Sequence, residues 1–338
     1  MEFDVNHGRE GTNNHHRDFS TVGYQVIREL GRNPQGGRIT YLANHLKSQQ
    51  KVVIKEFCFA NTTADWSGVK AYEQEIELLQ KLNHPCIPYY IESFEKPGFF
   101  YLVQEYKDAP SLGSKRCFHP EEIKKIALSI LEILVYLQQQ CPGIIHRDIK
   151  PENILVDQQL NVYLVDFGLA RLQDGKTELS TLVAGSPGFM PPEEQLGYVL
   201  TQASDLYSLG ATLICLLTNT SAADIGKLID DNYRFNFQKL VPHISLRFGL
   251  WLKKMVEPNS KRRYPNAADA LAALKPIQVL ASGKKLDYLI AAIHQRKNII
   301  ILGLAAMGIL AILGTNLMVS QPGGAANSMK IENFPKNN

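Results

Sequence analysis

The stretch His146–Asn153, H-R-D-I-K-P-E-N, decides how this chain is read. It sits between an apolar helical pattern over Ile123–Leu137 and a short run that ends in Asp166-Phe167-Gly168. Two acids, two cations and an amide within eight residues are a dense concentration of polarity so close to apolar segments. Burying such groups without partners is costly. Two readings compete: a polar turn between a helix and a strand, or a loop that carries chemistry. The choice rests on whether the rest of the chain supplies matching groups at matching places.

Composition narrows the classes. With 338 residues, 45% hydrophobic and 20% charged, the chain can bury a full core and has length for about two compact units. A net charge of +3, with no basic stretch interleaved with aromatics, argues against a nucleic-acid partner. The five cysteines (Cys58, Cys86, Cys117, Cys141, Cys215) are scattered and odd in number, with no C-x-x-C pair. That excludes a sequence-evident zinc site, argues against a disulfide framework, and reads as reduced thiols of a cytosolic domain. The polar N-terminus lacks the apolar region of a signal peptide.

Upstream of the loop the signals are strand-like. Residues 1–22 are polar and read as a disordered arm. Tyr24–Leu30, Arg38–Asn44 and Lys51–Phe59 read as strands, and Ser67–Leu82 switches to helical period with Ile76, Leu79 and Leu82 on one face. Ile91–Phe94 and Phe99–Glu105 pair across Lys96-Pro97-Gly98. From Pro120 onward helices dominate: Ile123–Gln140 after a Pro-Glu-Glu start, Ser204–Leu217, Leu246–Val256 and Ala267–Leu274, with two short strands over Ile154–Val165. A strand-rich half followed by a helix-rich half is an α+β order with a cleft between the halves.

Ile299–Val319 carries 21 residues without a charge. At ~1.5 Å per residue a helix of that length spans about 30 Å, the thickness of a bilayer's hydrocarbon core. It reads as a single transmembrane helix. The excess of Lys284, Lys285, Arg296 and Lys297 on its N-terminal side puts residues 1–298 in the cytoplasm and the tail, 320–338, outside the cell membrane. The 19 residues after Val319 are too few for a sensor domain, so the helix reads as an anchor.

Phosphoryl transfer is a chemistry that uses positioned charges more than covalent steps: a cation for the triphosphate, ligands for a metal, an acceptor for a hydroxyl proton. Lys55 ends Val52-Val53-Ile54-Lys55, and alternation puts Val53, Lys55 and Phe57 on one strand face. Glu75, on the following helix, is a candidate partner, with Glu73 and Glu77 as rivals on spacing alone.

The ordered set V-V-I-K, E-I, H-R-D-I-K-P-E-N, D-F-G and P-P-E resembles the eukaryotic-type (Hanks-type) serine/threonine protein kinases, over roughly Tyr24–Leu274. The runs G-R-I-T-Y-L-A and H-P-C-I-P are similar to bacterial, especially cyanobacterial, members. The resemblance implies a bilobal protein-kinase-like fold over 23–275, with a β-rich N-lobe (23–106) and an α-helical C-lobe (107–275), then a juxtamembrane segment, 276–298. It implies that Asp148 accepts the hydroxyl proton, Lys150 sits against the γ-phosphate, and Lys55 contacts the α/β-phosphates and pairs with Glu75. Asn153 and Asp166 would hold Mg²⁺ (or Mn²⁺). Leu30, Gly31, Gly36, Gly37, Ile39, Val53 and Leu155 would surround ATP, with the backbone from Glu105 to Lys107 meeting adenine. Glu193 with Arg263 would brace the segment containing P-P-E, and Asp205 would tie the catalytic loop to a helix. Protein substrates bearing Ser or Thr follow, and a transient dimer would serve trans-autophosphorylation.

Three departures stand out. The phosphate-covering loop G-x-G-x-x-G-x-V is replaced by Gly31–Ile39, G-R-N-P-Q-G-G-R-I, one residue longer and with Pro34, which has no N–H to offer a phosphate. Val53 and Pro191 replace alanines of the family pattern. By the same resemblance, Arg147 would meet a phosphate on Thr177, Ser180 or Thr181, and Ser186 would contact Asp148 and Lys150. The competing classes are a membrane-anchored pseudokinase, which the altered loop favours, and a small-molecule phosphotransferase, which the peptide-docking run Gly185–Glu193 opposes.

Overall fold

Five antiparallel strands in the order β1-β2-β3-β5-β4 form the first half of the chain: β1 (Tyr24–Asn33), β2 (Arg38–His45), β3 (Lys51–Cys58), β4 (Tyr90–Lys96) and β5 (Phe99–Glu105). The computed structural model describes residues 18–33, 37–58, 67–114, 116–172 and 186–281. Register gives the sheet two unlike faces. Tyr41, Ile54 and Val103 lie abreast, as do Thr40, Lys55 and Leu102 one step along. Side chains alternate across a strand, so the first row belongs to the outer face and the second to the cleft face. The outer face is closed by aromatic rings. Phe19 is 1% exposed and meets Tyr101 edge-on at 5.1 Å. The expected disordered arm therefore stops short of residue 18: Ser20–Val22 is a 3-10 turn that delivers Phe19 to the sheet.

Helix α1 (Ser67–Lys81) lies between β3 and β4 and buries Tyr72, Glu75, Leu78 and Leu79. The second half is helical: α2 (Pro120–Gln138), α3 (Pro192–Gln195), α4 (Ser204–Thr218), α5 (Leu246–Met255) and α6 (Ala267–Leu274). Pro120 starts α2, where a missing N–H costs nothing, and Glu122 accepts from the His119 amide at 2.8 Å. Its stripe of Ile123, Ile126, Ala127, Ile130, Leu134 and Leu137 is buried, the i, i+3, i+4, i+7 face of a packed helix. In α4 every residue from Ser204 to Cys215 is buried, so this helix is the axis of the lobe. Short strands fill the region between lobes: β6 (Ile144–Ile145), β7 (Ile154–Val156), β8 (Val162–Leu164) and β9 (Arg171–Leu172), paired β6 with β9 and β7 with β8.

The helical lobe runs past the expected boundary at 275. The Ala281 amide donates to His243 O at 3.0 Å, and Lys124 Nζ donates to Ile277 O at 2.6 Å. The first six residues of the expected juxtamembrane segment, 276–281, are thus pinned to the lobe. The expected transmembrane helix, 299–319, lies outside the described residues, as do residues 1–17, Gly36, Thr177, Ser180 and Thr181. Among the described residues no helix is long and apolar enough to cross a membrane. All five cysteines are free thiols.

Candidate active site

The loop His146–Asn153 leaves β6 under strain. Arg147 has φ 68° and Asp166, after β8, has φ 67°, a left-handed conformation that costs a side-chain-bearing residue roughly 1–3 kcal/mol. Asp205 of α4 holds the first of these in place, accepting from the His146 and Arg147 amides at 2.8 and 2.9 Å. Burial pushes its carboxyl up to about 6, and the two amide donors oppose that rise. His146 is fully buried, its ring edge-on to Phe167 at 4.7 Å, and accepts at Nδ1 from the Asp148 amide at 3.3 Å.

Burial drives the His146 imidazole down to about 4. The stability linked to its neutral form is complete above the ordinary histidine value, about 6.5, and is lost as pH falls from there toward 4. Asp205 works in the opposite sense below 6, so His146 must be isolated by difference. Wild type minus His146→Phe, by denaturant unfolding, should fall by about 2 kcal/mol between pH 7 and pH 5. A pH-independent difference would mean that the ring is not buried neutral.

Two polar clusters face each other across the cleft. In the roof, Lys55 Nζ pairs with Glu75 Oε1 and lies 3.3 Å from Asp166 Oδ1. Glu75 is 1% exposed whereas Glu73 and Glu77 are exposed, which separates the three candidates. In the floor, Asp148 Oδ2 accepts from Asn153 Nδ2 at 2.7 Å and pairs with Lys150 Nζ at 2.9 Å. Lys150 Nζ also donates to Ser186 Oγ at 2.8 Å. Among the described residues, the side-chain contacts of Asp148 go to Oδ2, and no hydrogen bond reaches Oδ1.

Asn153 immediately precedes β7 and Asp166 closely follows β8, so one hairpin presents both at the same end; the Val165 amide donates to Asn153 O at 3.0 Å. A carboxylate and an amide oxygen are hard donors that suit Mg²⁺ or Mn²⁺ when water and phosphate supply the other ligands. They fit such an ion bound with a nucleotide. Among the described residues no group of three or more His, Cys, Asp or Glu could hold a metal by itself. Against burial, Lys55 and Arg38 hold the Asp166 carboxyl far below its ordinary range.

Of the residues expected around a nucleotide, Val53 lies on the cleft face beside Gln104, with Leu155 in β7 and Glu105 at the end of β5. Lys107 pairs with Glu105 at 2.6 Å and stands over the Tyr163 ring. Leu30 sits in a bulge, 37% exposed, next to Gly31, which pairs with Thr40. Gly37 has φ 59°, and a Cβ there would lie 3.1 Å from Cys58 O.

Ile39 does not join them. It pairs with Glu56 and packs with the outer aromatic cluster, on the face opposite Lys55. Thr40 and Leu42, opposite Lys55 and Val53, take the cleft side, so the loop carries two extra residues and not one. The same register brings Arg38 into the cleft, a position missed in the sequence. Its guanidinium binds both oxygens of Asp166.

Arg147 also departs from expectation. Its Nε and Nη2 donate to Glu194 Oε1 at 2.8 and 2.6 Å, both side chains being buried. The arginine expected to meet a phosphate is paired with a carboxylate of α3. The neighbouring Glu193 makes a bidentate pair with Arg263 at 2.6 and 2.7 Å.

Known proteins are similar to this chain in sequence. The family described as Protein kinase domain matches residues 24–272. Serine/threonine-protein kinase D of Synechocystis sp. is 32% identical over 263 residues, which is 74% of this chain and 51% of that protein. Serine/threonine-protein kinase B of the same organism is 33% identical over 223 residues, 60% of this chain and 37% of that protein. Serine/threonine-protein kinase PrkC of Bacillus subtilis is 33% identical over 204 residues, 58% and 30% respectively. The chain thus spans about half, or less, of the length of these relatives. With a family match over some three quarters of its length and this bilobal cleft, the chain belongs to the protein kinase family.

Proposed function

We propose that the chain is an ATP-dependent protein-serine/threonine kinase, anchored in a membrane through residues 299–319 with its kinase domain in the cytoplasm. The observation that carries this reading is the convergence of Lys55–Glu75, Asp148, Asn153 and Asp166 in one cleft. In this reading Asp148 Oδ1 orients the Ser or Thr hydroxyl of a protein substrate and receives its proton. Lys150 sets its charge beside the transferred phosphoryl group, and Lys55 holds the α/β-phosphates while Glu75 fixes its position. Asp166 and Asn153 would hold a divalent cation, which would neutralise charge on the triphosphate.

Anchoring rests on the uncharged run of Ile299–Val319 and the lysine and arginine excess before it. Autophosphorylation at Thr177, Ser180 or Thr181, through a transient dimer, belongs to the same proposal. Its effect does not run through Arg147, whose partner is Glu194. A nucleotide-binding pseudokinase is the second reading, favoured by Arg38 lying against the metal-site carboxylate Asp166.

Full-length protein incubated with radiolabelled ATP, Mg²⁺ and a generic protein substrate should yield phosphoserine and phosphothreonine. Absence of transfer with Mg²⁺ and with Mn²⁺ would leave the pseudokinase reading standing. In cells the protein should stay with membranes through an alkaline wash, and deletion of 299–338 should release it while transfer continues.

A further inference from the structure

The roof of the cleft carries a second cation with no role in the mechanism above. Arg38 opens β2 opposite Phe57, and Thr40, two residues on, faces Lys55. Alternation therefore aims Arg38 and Lys55 from the same sheet face. Arg38 Nη1 donates to Asp166 Oδ1 at 2.9 Å, Nη2 binds Oδ2, and Nη1 is 3.9 Å from Glu75 Oε2. That Glu75 oxygen is buried and has no hydrogen-bond partner among the described residues. The guanidinium also fills the space over the Asp-Phe-Gly turn, since a Cβ on Gly168 would lie 2.9 Å from Nη1. Two cations and two carboxylates thus balance one another where a triphosphate and its metal must enter.

That balance changes when they do. A divalent cation on Asp166 competes with the guanidinium for its two oxygens, and the cation's charge repels Arg38. A triphosphate arriving beside it is a stronger attractor than one carboxylate. Arginine presents a planar fork of donors that matches phosphate oxygens as well as carboxylate. The loop it follows has lost a backbone donor to Pro34. We infer that Arg38 is a phosphate-binding residue of the nucleotide site, paired with Asp166 in the arrangement above and turned to the phosphates when Asp166 takes the metal. This inference rests on the nucleotide-site reading above.

The test compares affinities of the full-length protein for ATP, ADP and adenosine, with and without Mg²⁺, by displacement of a fluorescent ATP analogue. Arg38→Ala should weaken ATP binding roughly tenfold, the worth of about one charge-assisted contact, and leave adenosine unchanged. Arg38→Lys, which keeps the charge and loses the fork, should recover part of the loss. Thermal unfolding of each variant establishes that the domain is folded. Tighter Mg-ATP binding in Arg38→Ala would make Arg38 a plug of the metal site and overturn the inference. Equal weakening of ATP and adenosine would reduce Arg38 to a structural brace. Wild type that binds ATP no better than adenosine would overturn the nucleotide-site reading itself. An ATP preference kept unchanged by Arg38→Ala would overturn the Arg38 assignment alone.

Discussion

Asp148→Asn should lower phosphoryl transfer by about three orders of magnitude, within the range for loss of a positioned general base. The substitution is nearly isosteric. An amide oxygen can still accept from Asn153, which lies 2.7 Å from Asp148 Oδ2, so the loop keeps its shape. What is lost is the basicity of the group and the charge that pairs with Lys150 at 2.9 Å. ATP affinity and the unfolding midpoint should stay near wild type, because Lys55, Glu75 and Asp166 are untouched. The check is a transfer assay run beside nucleotide titration. Activity within threefold of wild type would remove Asp148 from the chemistry.

The second large effect is on stability. Arg263→Met should destabilise the domain by about 3–5 kcal/mol, the usual cost of breaking a buried ion pair from one side. Arg263 uses all five of its N–H donors: Nε to Glu257 O, Nη1 to Glu193 Oε1 and Ala203 O, Nη2 to Glu193 Oε2 and Pro258 O. Removal leaves the Glu193 carboxylate with the Ser204 hydroxyl, at 2.9 Å, as its side-chain donor among the described residues, and strands the carbonyls of Glu257, Ala203 and Pro258. For a domain of this size the unfolding midpoint should drop by roughly 10 °C or more. Replacing both partners, as Arg263→Met with Glu193→Leu, should recover part of the loss, since no unpaired charge is then buried. A single variant within 1 kcal/mol of wild type would show that the pair is solvated.

Much of the site could be read from the sequence because its chemistry sits in contiguous runs. His146–Asn153 and Asp166–Gly168 each carry their groups within a few residues, so no register is needed to find them. Glu75 required burial to separate it from Glu73 and Glu77, since three acids two residues apart offer equal spacing. Ile39 was misplaced for a different reason. The Gly31–Ile39 loop has an unusual length, and nothing local says on which residue the alternation of β2 restarts. Only pairing with β3 fixes that, with Thr40 opposite Lys55. One step of slip exchanges the two faces of a strand, and it concealed Arg38 as well. Glu194 was overlooked because its partner, Arg147, is 47 residues away and its role depends on how α3 meets the catalytic loop. Period separated a strand-rich half from a helix-rich half, the bilobal form came with the motif resemblance, and the ends of the elements shifted by a few residues where caps and pinned tails, such as 276–281, extend them.

The carboxylate set against Arg147 has a consequence in time. A phosphate is written onto a protein and erased from it within the life of the molecule; a glutamate changes only when the gene does. By seating Glu194 on this arginine, the fold makes the posture of its catalytic loop a constant and not a variable. No phosphatase can withdraw that charge. A phosphate added elsewhere on this chain would have to act through a group other than Arg147.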